Sequence, residues 1–218
     1  MTFTESLNKR YSGLRPEERL QLLFDSFPER EILITSSFGA SSAVLLHMLS
    51  KVKPDHPVYF VDTQYHFQET IDYKNQLVKL FHLNVEDVKA KTNHARFTNE
   101  NSTWKLNTDL CCFINKVQPV NELKEKHSIW ISGLLKYQNA NRSKMQVFER
   151  KAGIVKFHPM LDMTRDEVEL YSYINELPSH PLIEKGYDSI GCTHCTVKGH
   201  GRQGRWANTK KVECGLHL

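Results

Sequence analysis

The sequence predicts an α/β fold, a mostly parallel sheet flanked by helices. Short apolar runs of strand length at 32–35, 58–61, 129–132 and 154–157 alternate with longer segments whose apolar residues recur at helical spacing. Such alternation is what successive strand–helix units closing on one sheet produce. The 218 residues, 39% hydrophobic and 25% charged, suffice for one domain over 1–218 with its own core, and this composition is neither disordered nor membrane-like.

Taken in order, Pro16 with Glu17 and Glu18 reads as a helix first turn, continued by Leu20, Leu23, Phe24 and Phe27. A buried strand at 32–35, a small-residue turn at 36–42 and an apolar helix at 43–52 form the first unit. The second has a strand at 58–61 ending at Asp62 and Thr63, then a helix at 69–81 carrying Ile71, Leu77, Val78 and Leu80. Residues 84–88 read as another short strand, and the polar stretch 91–108 as a loop bordering a site. A helix around Cys112 to Leu123 leads into the strand at 129–132. After the strand at 154–157, Thr164-Arg165-Asp166-Glu167 is a capping box opening a helix through Asn175. From Pro178 onward the chain is rich in Gly, His, Cys and basic residues without periodicity, and 207–218 reads as a mobile functional tail.

The net charge of +4, thickened by Lys198, Arg202, Arg205, Lys210 and Lys211, suits nucleic acid or a small polyanion equally. The N-terminal segment has no signal-type apolar core and no run is long enough to cross a bilayer, so the expectation is a cytoplasmic protein without membrane contact. Five cysteines are an odd number, which favours metal binding plus one reactive thiol over a disulfide framework.

Several residues point to chemistry. In the turn Ser36-Ser37-Phe38-Gly39-Ala40-Ser41-Ser42, backbone N–H groups and hydroxyls can surround an anion at a helix N-terminus, though a purely structural turn reads the same way. It matches neither the Walker A nor the dinucleotide glycine pattern. Asp62, at the carboxyl end of a strand, is a candidate nucleotide contact or a plain turn carboxylate.

The cysteines are more specific. Adjacent Cys111 and Cys112, with the Cys-x-x-Cys pair Cys192 and Cys195, supply four thiolates for structural zinc or an iron–sulfur cluster. Adjacent ligands fit different irons of one cluster better than a single tetrahedral ion. Cys214 stands apart, with His217 and basic residues nearby to favour the thiolate. Lys116, Arg202 and Arg205 add cations suited to oxyanions, or to a solvated basic face.

These residues resemble the sulfonucleotide reductases, and within them the cluster-containing adenylyl sulfate reductases of assimilatory sulfate reduction. The resemblance runs over 36–217 and is strongest at Cys111-Cys112 with Lys116, Gly191-Cys192-Thr193-His194-Cys195, Arg202-Gln203-Gly204-Arg205-Trp206 and Glu213-Cys214-Gly215-Leu216-His217. Ser37-Phe38-Gly39-Ala40 is similar to the family's modified pyrophosphate loop, and Asp62-Thr63 with Glu69-Thr70 to its second nucleotide-side motif. The resemblance implies an adenine nucleotide alpha-hydrolase-like fold, a [4Fe–4S] cluster on Cys111, Cys112, Cys192 and Cys195, and a nucleophile at Cys214. It implies attack on the sulfate sulfur, loss of AMP, and cleavage of the Cys214 thiosulfonate by reduced thioredoxin, with glutaredoxin the other candidate donor. Lys116, Arg202, Arg205 and His217 match positions that contact or steer the sulfonucleotide.

The chain departs from the family over Gly133-Leu134-Leu135-Lys136-Tyr137-Gln138-Asn139, where two arginines and Asp-Gln-Ser are usual. Lys136 there keeps the charge without the bidentate fork. Gln64 and Gln68 likewise replace the usual Gly and Pro.

Competing readings are 3′-phosphoadenylyl sulfate as substrate, an ATP pyrophosphatase, and a zinc-binding interaction module. A pyrophosphatase loop has Gly and Asp where Phe38 and Ser41 stand, and the module gives the Cys214 tail no task. No nucleic-acid partner is expected, and a homo-oligomer is among the assemblies the sequence allows.

Overall fold

The computed structural model describes residues 1–207, 211 and 213–216. Among them six strands make one sheet in the order β3-β2-β1-β4-β6-β5: β1 is Ile32–Ser36, β2 Val58–Val61, β3 Val85–Val88, β4 Ile129–Ile131, β5 Phe148–Lys151 and β6 Ile154–Phe157. All neighbours pair in parallel except β5 with β6; β1 aligns Thr35 with Tyr59 of β2 and Ile32 with Ile129 of β4. The helices are α1 Phe3–Arg10, α2 Pro16–Ser26, α3 Ser42–Val52, α4 Gln68–Phe81, α5 Thr92–Glu100, α6 Thr103–Leu106, α7 Thr108–Cys112, α8 Gln118–Lys124, α9 Arg165–Ile174 and α10 Pro181–Glu184.

The central strand is apolar on both faces because both are covered. Ile32 and Ile34 join Leu20, Leu23, Leu46, Leu49 and Phe60 in the larger core, whereas Leu33 packs on the other side with Val61, Val120, Trp130 and Ile154. Trp130 donates its ring N–H to Thr35 Oγ1 at 2.9 Å, tying β4 to β1. Each fully buried leucine such as Leu20 contributes ~1.5–3 kcal/mol by leaving water. An ion pair from a buried guanidinium to a half-exposed carboxylate closes one flank: Arg19 of α2, 3% exposed, grips Asp162 at 2.5 and 2.7 Å and donates to the Pro159 carbonyl at 2.9 Å.

The chain runs outward from β1 to β2 and β3, then crosses back to β4, so the connections diverge between β1 and β4. A crevice at the carboxyl ends of the strands is expected at such a point.

The sequence reading of 91–108 as a loop is corrected, since α5 and α6 occupy it. In α5 a buried, hydrogen-bonded hydroxyl stands in place of an apolar stripe. Thr98, fully buried, bonds the Tyr65 hydroxyl at 3.1 Å and lies against Asn115, and Thr103 is 4% exposed. Three elements carried too little signal to be read: α1, a mostly polar helix held by a Thr2–Glu5 capping box, β5, a charged edge strand, and α10, a single turn opened by Pro181.

Candidate active site

A cavity of about 220 Å³ opens at the carboxyl ends of β1 and β4, bordered by Thr35, Ser36, Ser132 and Gly133. The turn after β1 forms its floor. Ser36 Oγ accepts from the Phe38 N–H at 3.1 Å, and Ser42 N–H closes on the Gly39 carbonyl at 3.0 Å. Phe38 takes a left-handed φ of 48°, which turns its ring beneath the floor onto Phe60, 5.5 Å between centroids. Ser36, Ser37, Gly39 and Ala40 thus line the cavity as expected, while the Phe38 side chain belongs to the core. The start of α3 presents backbone N–H groups there, a site for an anion.

The other predicted residues divide. Lys116, Arg202, Arg205 and Cys214 all line this cavity. Asp62 does not: its carboxylate accepts from the Gln64 N–H at 2.8 Å and pairs with Lys89 at 3.1 Å, serving its own turn. Burial pushes the Asp62 carboxyl up, but these partners outweigh it and hold it below the usual range. Lys136 is exposed on a short 3₁₀ turn and lies off the cavity; Gln138, two residues on, lines it. His217 lies outside the described residues.

Arg205 stacks on Trp206, 4.5 Å from guanidinium carbon to ring centroid, and donates to the Ile190 carbonyl at 2.9 Å. Gly191 makes room for it, because a Cβ there would lie 2.3 Å from Arg205 Nη2. The Nε atoms of Arg202 and Arg205 are buried without a hydrogen-bond partner among the described residues.

Lys116 sits on a π-helical turn, Phe113–Val117, that continues α7; such turns often mark functional sites. It borders both the main cavity and a second, smaller one lined by Cys111, Cys112, Cys192 and Cys195. Asn107 caps α7 by accepting from the Leu110 N–H at 2.9 Å, which places the adjacent cysteines at the helix end. Cys192 and Cys195 flank a 3₁₀ turn whose loop is tied to 62–66: Thr193 N–H donates to the Tyr65 carbonyl at 2.7 Å, and Thr63 Oγ1 lies 3.3 Å from Cys192 Sγ. Trp104 stacks on His194 at 4.1 Å and Tyr65 meets both, so aromatic rings form the remaining wall. Four free cysteines, ligands of the type that hold clusters, line one aromatic-walled space beside Lys116, but among the described residues no group of three or more His, Cys, Asp or Glu is placed to hold a metal ion. Burial, and then the neighbouring Cys192, push the Cys111 and Cys195 thiols up, so metal binding would have to displace their protons.

Cys214 behaves oppositely. A Cys112 thiol donating to it and the Lys116 charge overcome burial and hold its thiol well below the ordinary range; with Cys112 a metal-bound thiolate, that donor would be lost and the Lys116 charge would remain. Glu213 beside it is 2% exposed and bound by Arg142 through Nε at 2.8 Å and Nη2 at 3.0 Å. Arg142 and the role of Glu213 were missed in the sequence. The signal was faint: Arg142 lies four residues beyond Gln138, past the departing segment, and Glu213 was visible only as part of the terminal motif. The described tail residues 213–216 are thus seated in the cavity.

Comparison with known proteins follows the same lines. The profile described as "Phosphoadenosine phosphosulfate reductase domain" matches residues 31–198. The chain belongs to the sulfonucleotide reductase family. It is similar to an adenosine 5′-phosphosulfate reductase of Chelativorans sp. (strain BNC1), 40% identical over 97% of this chain and 89% of that one. A Bacillus cereus (strain 03BB102) adenosine 5′-phosphosulfate reductase is 37% identical over 87% of this chain and 85% of its own. Among solved structures, phosphoadenylyl-sulfate (PAPS) reductase from Candida auris, in a phosphate complex, superposes with a TM-score of 0.78 at 28% identity, covering 90% of this chain and 98% of that one. Yeast FAD synthetase, at 12% identity and a TM-score of 0.60 over 91% of this chain and 69% of its own, shares the fold. The adenine nucleotide alpha-hydrolase-like architecture expected from the sequence is therefore the one observed.

Proposed function

We propose that the chain reduces adenylyl sulfate to sulfite and AMP in sulfate assimilation, with Cys214 as nucleophile. The observation that carries this reading is the convergence of Cys214, Lys116, Arg202 and Arg205 on one cavity floored by the anion-accepting turn before α3. Relatives 35–40% identical over nearly the whole chain, named adenosine 5′-phosphosulfate reductase, support the substrate. The chain is then an oxidoreductase.

In the first step the Cys214 thiolate attacks the sulfate sulfur, a sulfur–sulfur bond forms, and the bond from that sulfur to the AMP phosphate oxygen breaks. AMP is a good leaving group, so the residues mainly align the anion with the thiolate and spread its charge. In the second step a dithiol donor, thioredoxin or glutaredoxin, attacks Cys214 Sγ. Sulfite leaves, the Cys214 thiol is recovered once the donor closes its own disulfide, and the donor's two electrons take sulfur from the sulfate to the sulfite level. Cys214 is buried, so the described tail residues 213–216 would have to move for the donor to reach its sulfur. His217, which belongs to this tail in sequence, is proposed to steer the substrate.

Cys111, Cys112, Cys192 and Cys195 would hold a [4Fe–4S] cluster. The group would supply fixed charge and a structural clamp on two loops. Five unpaired cysteines support a reducing, cytoplasmic setting, and no helix among the described residues is long and apolar enough to cross a membrane.

The likeness to the Candida auris enzyme favours 3′-phosphoadenylyl sulfate as a second reading. The test is turnover by anaerobically purified protein with reduced thioredoxin, comparing the two nucleotides. Sulfite from adenylyl sulfate is the expected result; preference for the phosphorylated form would overturn the substrate, and sulfite from neither would overturn the function.

A further inference from the structure

The carboxylate of Glu213 is held by five N–H donors. Oε1 accepts from Arg142 Nη2 at 3.0 Å, Arg202 Nη2 at 2.9 Å and the Cys214 N–H at 3.0 Å; Oε2 accepts from Arg142 Nε at 2.8 Å and Asn139 Nδ2 at 3.1 Å. A carboxylate offers about four lone-pair sites, so this one is saturated and has none left for a proton in transit. It is also buried, as is Arg142. A charge so deep is retained only where it is paired and hydrogen-bonded on all sides, and breaking such an arrangement is costly. The arrangement therefore fixes geometry rather than moving protons.

What it fixes is the next residue. The bond from the Cys214 N–H to Glu213 sets the local main chain, and through Arg142 and Asn139 that main chain is tied to the loop after β4. Lys156 Nζ also reaches the Leu216 carbonyl at 3.4 Å, and the Leu216 side chain packs on the core around Trp130. We propose that Glu213 is the positioning residue of the reductase: clamped by Arg142, Asn139 and Arg202, it seats the tail so that the Cys214 thiol is held against the substrate cavity. This rests on the reading of Cys214 as nucleophile. Glu213 also neutralises two guanidinium groups at the cavity wall, so removing its charge leaves both free for an anion. Positioning is thus separable from binding.

The experiment uses the holoenzyme and its Glu213→Gln and Glu213→Asp variants with three readouts. These are the single-turnover rate of S-sulfonate formation on Cys214, the rate of Cys214 alkylation by iodoacetamide followed on the C-terminal peptide by mass spectrometry, and the Kd for AMP. A misplacement of about 1 Å costs roughly 100-fold in rate. Glu213→Gln is expected to slow S-sulfonate formation by about that factor, to speed alkylation several-fold, and to leave AMP affinity unchanged or tighter. Glu213→Asp, which keeps the charge, is expected to recover part of the rate. Wild-type rates in Glu213→Gln, or a fall in rate matched by an equal loss of AMP affinity, would overturn the proposal. If wild-type protein forms no S-sulfonate, the function proposed above fails, and the alkylation readout alone still decides whether Glu213 holds the tail.

Discussion

Gly191→Ala turns the packing around Arg205 into a measurable loss of binding. The new Cβ would stand 2.3 Å from Arg205 Nη2, 2.4 Å from Cζ and 2.9 Å from Nη1. Those atoms end a flexible side chain, so the loop can stay while the guanidinium swings out. In doing so Arg205 gives up its bond to the Ile190 carbonyl and its place on Trp206, worth ~0.5–2 kcal/mol for the stacking. Water recovers part of that, so the fold is little affected. Binding is another matter, because a charge-assisted hydrogen bond to an oxyanion is worth ~1.5–3 kcal/mol. At about 1.4 kcal/mol per decade, adenylyl sulfate should bind about 10- to 150-fold more weakly. The measurement is calorimetric titration in a Cys214→Ser background, where no turnover intervenes, beside Arg205→Ala and the double variant. All three should agree. A Gly191→Ala affinity within about twofold of the parent, or a double variant far weaker than Arg205→Ala, would refute the reasoning.

Cys192→Ser should remove the visible absorbance of anaerobically purified protein; an unchanged spectrum would break the ligand assignment. Asp162→Ala leaves Arg19 buried without its partner, at a cost of ~2–3 kcal/mol because Asp162 itself is partly solvated. This should lower Tm by roughly 5–10 °C, and an unchanged Tm would show the pair to be dispensable. His180, fully buried against Thr70 and Tyr73 with Glu69 the facing carboxylate, has its pKa pushed down to about 4 by burial. The unfolded chain takes up a proton near 6.5 that the folded one refuses, so this contribution is complete above 6.5 and is lost as the pH falls toward 4, on the order of 3 kcal/mol. His180→Gln should flatten that slope in urea midpoints measured from pH 7 to 4.5, and a slope equal to wild type would remove His180 as its source.

The sheet was legible because each buried strand is a short apolar run, and the site because chemistry-bearing residues cluster in sequence. Cys111, Cys112, Cys192, Cys195 and Cys214 stand out by type and spacing alone. What escaped depended on distance in the chain. Arg142 looks like any loop arginine until its pairing with Glu213, 71 residues away, is seen. Asp62 sits at the expected strand end, yet Lys89 of the neighbouring segment captures it. Helices α5 and α6 escaped because the residues they bury, Thr98 and Thr103, are of a polar type whose burial no hydropathy pattern records.

The cavity must bring a thiolate up to a sulfur that carries negative oxygens. Two unit charges 4 Å apart repel by about 4 kcal/mol at an effective dielectric of about 20, roughly a thousandfold in rate if left uncancelled. Of the described cations lining the cavity, Arg142 and Arg202 are engaged by Glu213, which leaves Lys116 and Arg205 among them for this task. Lys116 is the more central, because it also borders the cysteine cavity. Burial works to lower its pKa, but the charges of Cys192 and Cys214 override that and raise it, so it stays protonated. Lys116→Gln keeps the side chain's length and removes the charge. Single-turnover S-sulfonate formation should fall by up to about 1000-fold, while the visible spectrum is retained. A rate within about tenfold of wild type would place the cancelling charge on Arg205, and an equal effect in Arg205→Ala would mean that the two cations act as one unit.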